Sequence, residues 1–209
     1  MKKFNAISLA LIAGLFLVSS AQAAGDAAKG KGLYAVCSSC HGANGEGNAA
    51  LNAPQIAGQQ EWYVARQLNN YKAGIRGTHP EDVYGAQMRP MSMTLANEQA
   101  VNDVSAYIAS LKPKPVAQTV KGDAAKGKAA FAVCASCHGA NGEGNQALNA
   151  PRISTQYDWY TVRQINHFKK GIRGANPKDV YGAQMRPMSM TLATDQAVND
   201  VAAFLASLK

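Results

Sequence analysis

Residues 25–112 and residues 122–209 are one unit written twice. At a constant offset of 97, with no gap, 64 of 88 positions are identical. Such a duplication sets the architecture before any element is assigned, since each copy has the size of a small domain and must organise its own core. It also supplies an internal control: a feature that a site requires in both halves must stand at both i and i+97. The segment between the copies contains Pro113-Lys114-Pro115, which favours an extended, fairly stiff connection. The chain therefore divides into residues 1–23, a first domain over 24–111, a linker over 112–121 and a second domain over 122–209.

Residues 1–23 read as an export signal. Lys2 and Lys3 form the positive start, Ile7 to Val18 is apolar, and Ala21-Gln22-Ala23 is a small-x-small cleavage site. Twelve apolar residues are too few to span a bilayer comfortably. Cleavage after Ala23 and a periplasmic location are the expectation. The formal charge of +8 is unevenly spread. Residues 24–111 hold six basic and seven acidic groups, the linker three lysines, and residues 122–209 ten basic and six acidic groups. A basic second half suits an acidic protein partner or an anionic lipid surface, as well as plain solubility. Export argues against nucleic acid.

Each half reads as three helices with long loops, and no stretch shows the period of a strand, so the class is all-α. The first helix follows Asp26 as cap and reaches about Val36. The second spans roughly 60–73, where Val64, Leu68, Tyr71 and Ile75 make one apolar stripe and Gly74 is a stop. The third starts at Asn97 as N-cap and buries Val101, Val104, Ile108 and Leu111. Residues 42–58 and 76–94 read as irregular. Loops of that length are uncommon unless something organises them, and three short helices make a poor core. Something large and apolar is expected inside.

All four cysteines lie in two copies of one motif, Cys37-Ser38-Ser39-Cys40-His41 and Cys134-Ala135-Ser136-Cys137-His138. C-x-x-C-H is the attachment motif for c-type haem: two cysteines three apart form thioethers to the vinyl groups, and the histidine ligates iron. A disulfide, a thioredoxin-like pair and a zinc site compete. The thioredoxin reading lacks its βαβ setting, and 93 residues between Cys40 and Cys134 are too many for a zinc module. Apart from Met1, every methionine lies in two matched clusters: Met88, Met91 and Met93, and Met185, Met188 and Met190. His/Met ligation is an electron-transfer pattern in which a thioether raises the potential; methionine as core filler is the competing reading. The other histidines fail the internal control. His79 pairs with Asn176 and His167 with Asn70, so both are expected at the surface or in loops. Pro54 and Pro151, 13 residues after each motif histidine, could accept its second N–H. Trp62, Tyr63, Arg66, Arg76, Tyr84 and Arg89 all recur 97 later and are candidate donors to haem propionates.

Each half resembles a class I cytochrome c domain, and the tandem resembles the dihaem cytochrome c4 family. The motifs are C-x-x-C-H, the following His-Gly-Ala-Asn-Gly-Glu-Gly, Pro54-Gln55-Ile56-Ala57-Gly58-Gln59, Arg66-Gln67-Leu68 leading to Lys72-Ala73-Gly74, and the Met88 segment. The resemblance implies two covalent haem c groups. It selects Met88 and Met185 as axial methionines, each seven residues before Leu95 or Leu192. It implies single-electron transfer in the periplasm, commonly toward a terminal oxidase, with loose membrane attachment and domains packed about a two-fold-like axis. A monomeric carrier rather than an enzyme is expected. Two departures stand out. The halves are more alike than usual, so two closely spaced midpoint potentials are expected. Pro151-Arg152-Ile153-Ser154-Thr155 also lacks the Ala-Gly of the first half.

Overall fold

A computed structural model describes residues 24–208; the export-signal expectation for residues 1–23 lies outside them. The first domain contains α1 (Ala27–Leu33), α2 (Ala35–His41), α3 (Glu61–Lys72), α4 (Val83–Met93) and α5 (Glu98–Ser110). The second repeats them as α6 (Ala124–Ala130), α7 (Ala132–His138), α8 (Asp158–Lys169), α9 (Val180–Met190) and α10 (Asp195–Ser207). A short 3-10 turn follows each C-x-x-C-H helix, at Ala49–Leu51 and Gln146–Leu148. Among the described residues the only β-pairing is one isolated bridge per domain.

Local chemistry explains the elements. Asp26 caps α1 by accepting from the N–H groups of Ala28 and Lys29. The expected single first helix is two: Cys37 N–H bonds to Tyr34 O, so the chain tightens at Tyr34 and re-aims α2. α3 buries Val64, Leu68 and Tyr71 and stops before Gly74, whose φ is 68°. α5 begins where Asn97 accepts from Ala100 N–H and buries Val101, Val104 and Ile108. The stretch expected to be irregular over 76–94 contains α4. It escaped the reading because only Gly85 and Ser92 are buried in it and Pro90 interrupts it, so it shows no apolar stripe toward a protein core.

α1 crosses α5 at backbone contact. A Cβ on Gly30 would sit 1.9 Å from the carbonyl oxygen of Asp103, and one on Gly127 would sit 1.9 Å from that of Asp200. The Asp103 and Asp200 side chains each accept a 2.8 Å bond from the start of the opposing helix, at Asp26 N–H and Asp123 N–H. The first core is Tyr34, Val64, Leu68, Leu95, Val101, Val104 and Ile108. The second is Phe131, Leu192, Val198, Val201, Phe204 and Leu205.

The domains meet through reciprocal contacts. Arg66 donates to the side chain and carbonyl of Asn149, both at 3.2 Å. Arg163, its counterpart, donates to the side chain and carbonyl of Asn52 at 3.2 and 3.0 Å. Arg66 also lies over the Tyr181 ring and Arg163 over the Tyr84 ring, both at 4.3 Å. When i meets j+97 and i+97 meets j, the halves are related by a two-fold-like axis, as in a symmetric dimer. The linker breaks that symmetry. Lys114 exchanges backbone bonds with the Gln55 amide, and Thr119 and Val120 donate to the Asp158 carboxylate.

Candidate functional site: two apolar cavities joined across the domain seam

α2 ends in His41, after which Gly42 adopts φ 79° and turns the chain back. Gly47 N–H donates to His41 O at 2.7 Å, and Ile56 and Ala57 N–H both donate to Gly45 O. The bridge between Asn48 and Ala53 closes the loop. The glycine-rich segment thereby folds Pro54 over the histidine ring. His41 Nδ1 lies 2.9 Å from Pro54 O, and His138 Nδ1 lies 2.8 Å from Pro151 O. A carbonyl only accepts, so Nδ1 carries the proton and Nε2 keeps its lone pair. Both rings are 6% exposed. Burial, outweighing the proline carbonyl bond, holds each imidazole below the usual histidine pKa, so both are neutral at neutral pH.

The ring of His41 lines an apolar cavity with Cys37, Cys40, Val64, Leu68, Met88 and Val104, and the second domain repeats the arrangement with His138, Cys134, Cys137 and Met185. None of the four cysteines is in a disulfide. Burial pushes the Cys37 thiol up to about 11, which removes the thiolate that a thioredoxin-like nucleophile requires. Met88 is half-buried and packs on the first core, while Met91 is 37% exposed at the rim. Met185 is likewise half-buried on the cavity wall and Met188 is 36% exposed, and Met93 and Met190 lie outside the cavity lining. The inner face of α4 and of α9 is thus directed at the cavity.

The two cavities are continuous across the seam, where Tyr63, Arg66, Gln67, Arg76 and their counterparts line both. Arg76 is 5% exposed, donates to Gln67 at 2.5 Å and lies 4.5 Å above the Tyr71 ring. Its second nitrogen reaches Gln164 of the other domain at 3.4 Å, and Arg173 reaches back to Gln67 at 3.4 Å. The Nε groups of Arg66, Arg76 and Arg173 are buried and unpartnered. Burial raises the Tyr63 phenol, but Arg173 and Arg76 beside it pull it down further, which marks an excess of positive charge. Buried donors without acceptors are rare in a finished site. A flat apolar group bearing carboxylates fits both features: it fills the greasy cavities and accepts from the orphaned guanidinium N–H groups. The residues present therefore fit a porphyrin in each domain. Of the six recurring donor candidates, Tyr63, Arg66, Arg76 and Tyr84 line the joined cavity, and Trp62 and Arg89 do not.

His167 corrects the surface-or-loop expectation. It is 9% exposed on α8, and its Nδ1 lies 3.6 Å from Asp82 Oδ1 of the first domain. Failing the repeat test meant only that the two halves differ there. Asp82 escaped the sequence reading although it recurs as Asp179. Gln55, Gln156 and Arg152 also join the seam unforeseen: Gln156 exchanges bonds with the Gln55 backbone, and Arg152 reaches Ala57 O.

Comparison with known proteins agrees with this geometry. The cytochrome c family profile matches residues 27–112 and again residues 124–209. Cytochrome c4 of Azotobacter vinelandii is 38% identical over 182 residues, covering 81% of this chain and 84% of that protein. A thiosulfate dehydrogenase electron acceptor of Stutzerimonas stutzeri is 29% identical over 220 residues, covering 96% of this chain and 94% of that protein. The crystal structure of reduced recombinant cytochrome c4 from Pseudomonas stutzeri superposes with a TM-score of 0.71 at 29% identity, covering 89% of this chain and all of that one. Two tandem cytochrome c domains, two C-x-x-C-H cavities and these relatives place the chain in the dihaem cytochrome c4 family, with two covalently bound haem c groups.

Proposed function

We propose that the protein is a periplasmic carrier that passes single electrons between redox partner proteins, in the direction of a terminal oxidase, with His41 and Met88 ligating one iron and His138 and Met185 the other. Bound haem supplies the one-electron iron couple. The chain's residues do the rest. Pro54 and Pro151 fix the tautomer that leaves Nε2 free to ligate. Burial keeps both imidazoles neutral. The half-buried Met88 and Met185 offer thioether sulfur from the cavity wall. Arg66, Arg76, Arg163 and Arg173, which line the seam, would hold the porphyrin carboxylates there, and the apolar walls exclude water. Nothing here requires a general acid, base or nucleophile, which supports a carrier rather than an enzyme. The observation that carries the reading is the matched pair of histidine- and methionine-walled cavities opening on one arginine-lined seam.

The visible spectrum of the oxidised protein, with haem counted per chain, tests this. Two haems and the weak far-red band of methionine sulfur on ferric haem are expected. Met88→Ala and Met185→Ala should each remove half of that band, and Met91→Ala and Met188→Ala none. High-spin features on one haem of the unaltered protein would instead favour an open iron and an enzyme or sensor.

A second reading has its own support. The similarity to thiosulfate dehydrogenase electron acceptors suits a dedicated electron-transfer subunit docked to a dehydrogenase or oxidase. Among the described residues no helix is long and apolar enough to cross a membrane. Attachment to a membrane or complex would then be peripheral. Copurification with membranes that is lost at high salt would mark electrostatic docking, and sedimentation of the purified chain checks that it is a monomer.

A further inference from the structure

Most seam residues recur in both halves; the exceptions include Gln55 against Arg152, which adds a fixed charge, and one imidazole. Asn70 of the first domain corresponds to His167 of the second. We propose that His167, held against Asp82 across the seam, is a proton-accepting site that couples electron uptake by this protein to the uptake of one proton; this rests on the carrier reading above.

The geometry is that of a site built for one proton. His167 Nδ1 and Asp82 Oδ1 stand 3.6 Å apart, closer than unrelated groups but longer than a hydrogen bond. His167 Nδ1 and Asp82 Oδ2 are both buried without a hydrogen-bond partner, and Asp82 is 3% exposed. A proton placed on the ring creates a charge-assisted bond to a buried carboxylate that otherwise accepts only from Gly85 N–H at the start of α4. The groups facing the ring come from both domains. Asp82, at the start of α4, favours the charged ring. Arg163 on α8 with the ring, Arg173 in the loop after α8 and Arg76 of the first domain oppose it. Burial acts with the arginines and holds the ring below the usual histidine pKa. The ring is thus neutral but poised beside a carboxylate, and a modest increase in local negative charge tips it.

Electron uptake supplies that increase. Asp82 lines the joined cavity, and so does Phe168, the residue after His167. By Coulomb's law a unit charge changes a proton affinity on the order of tenfold at a separation of about ten ångströms and an effective dielectric near 20. The balance is simple. One electron from a donor protein converts ferric to ferrous iron, one proton from solvent forms the second N–H bond of the His167 ring, and both leave on reoxidation. Asn70 cannot do this in the mirror position, so each chain holds one such site.

The test uses the haem-loaded full chain. Midpoint potentials are measured by potentiometric titration of the haem absorption between about pH 5 and 9, for the unaltered protein, His167→Asn and Asp82→Asn. The His167 ring is titrated separately by nitrogen-15 NMR in the fully oxidised and fully reduced protein, with dithionite as reductant. His167→Asn installs the residue already present at position 70, and Asp82→Asn retains a capping side chain for α4. The expected result is a potential that falls with rising pH in the unaltered protein, and a ring that binds its proton on the order of tenfold more tightly after reduction. The slope should vanish in His167→Asn and move to lower pH in Asp82→Asn, where the favourable carboxylate is gone. A potential independent of pH, a slope that survives His167→Asn, or a ring that titrates alike in both redox states would overturn the inference while leaving the carrier reading intact. Failure to find two reversible haem waves would overturn the carrier reading, and this inference with it.

Discussion

Two glycines two residues apart on α1 should respond oppositely to the same substitution. A Cβ on Gly30 meets Asp103 O at 1.9 Å, Asp103 C at 2.5 Å and Tyr107 Cβ at 2.9 Å. Two of these atoms are backbone of α5, so no side chain can swing away, and α1 must lift from α5. Overpacking of that kind costs about 3 kcal/mol, at the upper end of the usual range. Alanine returns about 1 kcal/mol of helix propensity. Gly30→Ala should therefore destabilise the first domain by about 2 kcal/mol. Gly32 has nothing within 4 Å of its would-be Cβ, and its counterpart in the second half is already Ala129. Gly32→Ala should stabilise by about 1 kcal/mol. For a domain of this size these values correspond to a melting transition roughly 8–16 °C lower and 4–8 °C higher. The assay is thermal unfolding of the haem-loaded protein followed by far-UV circular dichroism. Equal and favourable shifts for both variants would refute the backbone crossing of α1 and α5.

Other outcomes follow from the same contacts. Asp158→Ala should cost about 3 kcal/mol in denaturant unfolding, because it orphans the Thr119, Val120 and Trp159 N–H groups and the Thr119 hydroxyl, and should expose the linker to protease. The double variant Arg66→Ala, Arg163→Ala should lose roughly 2 kcal/mol at each site and loosen the seam, seen as a larger radius of gyration by small-angle scattering with both haem spectra retained. The N–H of Asp26 and the Gln99 amide hold the Asp103 carboxyl below its usual value, and Asp123 and Gln196 do the same for Asp200. A lowered folded pKa means that this stability is present above about pH 4 and is lost as pH falls through the folded value. Asp103→Asn should therefore flatten the acid side of the stability–pH curve, and an unchanged acid limb would count against these bonds.

Linear signals were legible wherever function repeats a short motif. The helices α3 and α5 showed their stripes because they pack on protein. The C-x-x-C-H histidines and the proline carbonyls that face them were legible from spacing, since the loop between them has fixed length. α4 was not, because the face it would have advertised is turned toward the cavity, where the packing partner is a cofactor and the inner residues are Met88 and Met91 rather than a leucine stripe. His167 was misplaced for a related reason: its partner Asp82 is 85 residues away and belongs to the other domain.

The departure at Thr155 shows where the division lies. Gly58 and Thr155 occupy equivalent left-handed positions, with φ of 62° and 57°. A Cβ on Gly58 would meet Pro113 Cδ at 2.8 Å and Leu111 O at 3.0 Å, because the linker leaves the first domain over that residue. At the equivalent position the Thr155 hydroxyl takes a 2.8 Å bond from Arg152 that offsets the strained backbone. The sequence alone determined the duplication, the covalent haem chemistry and the helices that bury their own stripes, since each is encoded within a few residues. The tertiary structure decided how the halves face each other, which arginines are left with unpartnered donors and where one buried histidine meets a carboxylate. Those outcomes depend on distances between groups that no local pattern brings together.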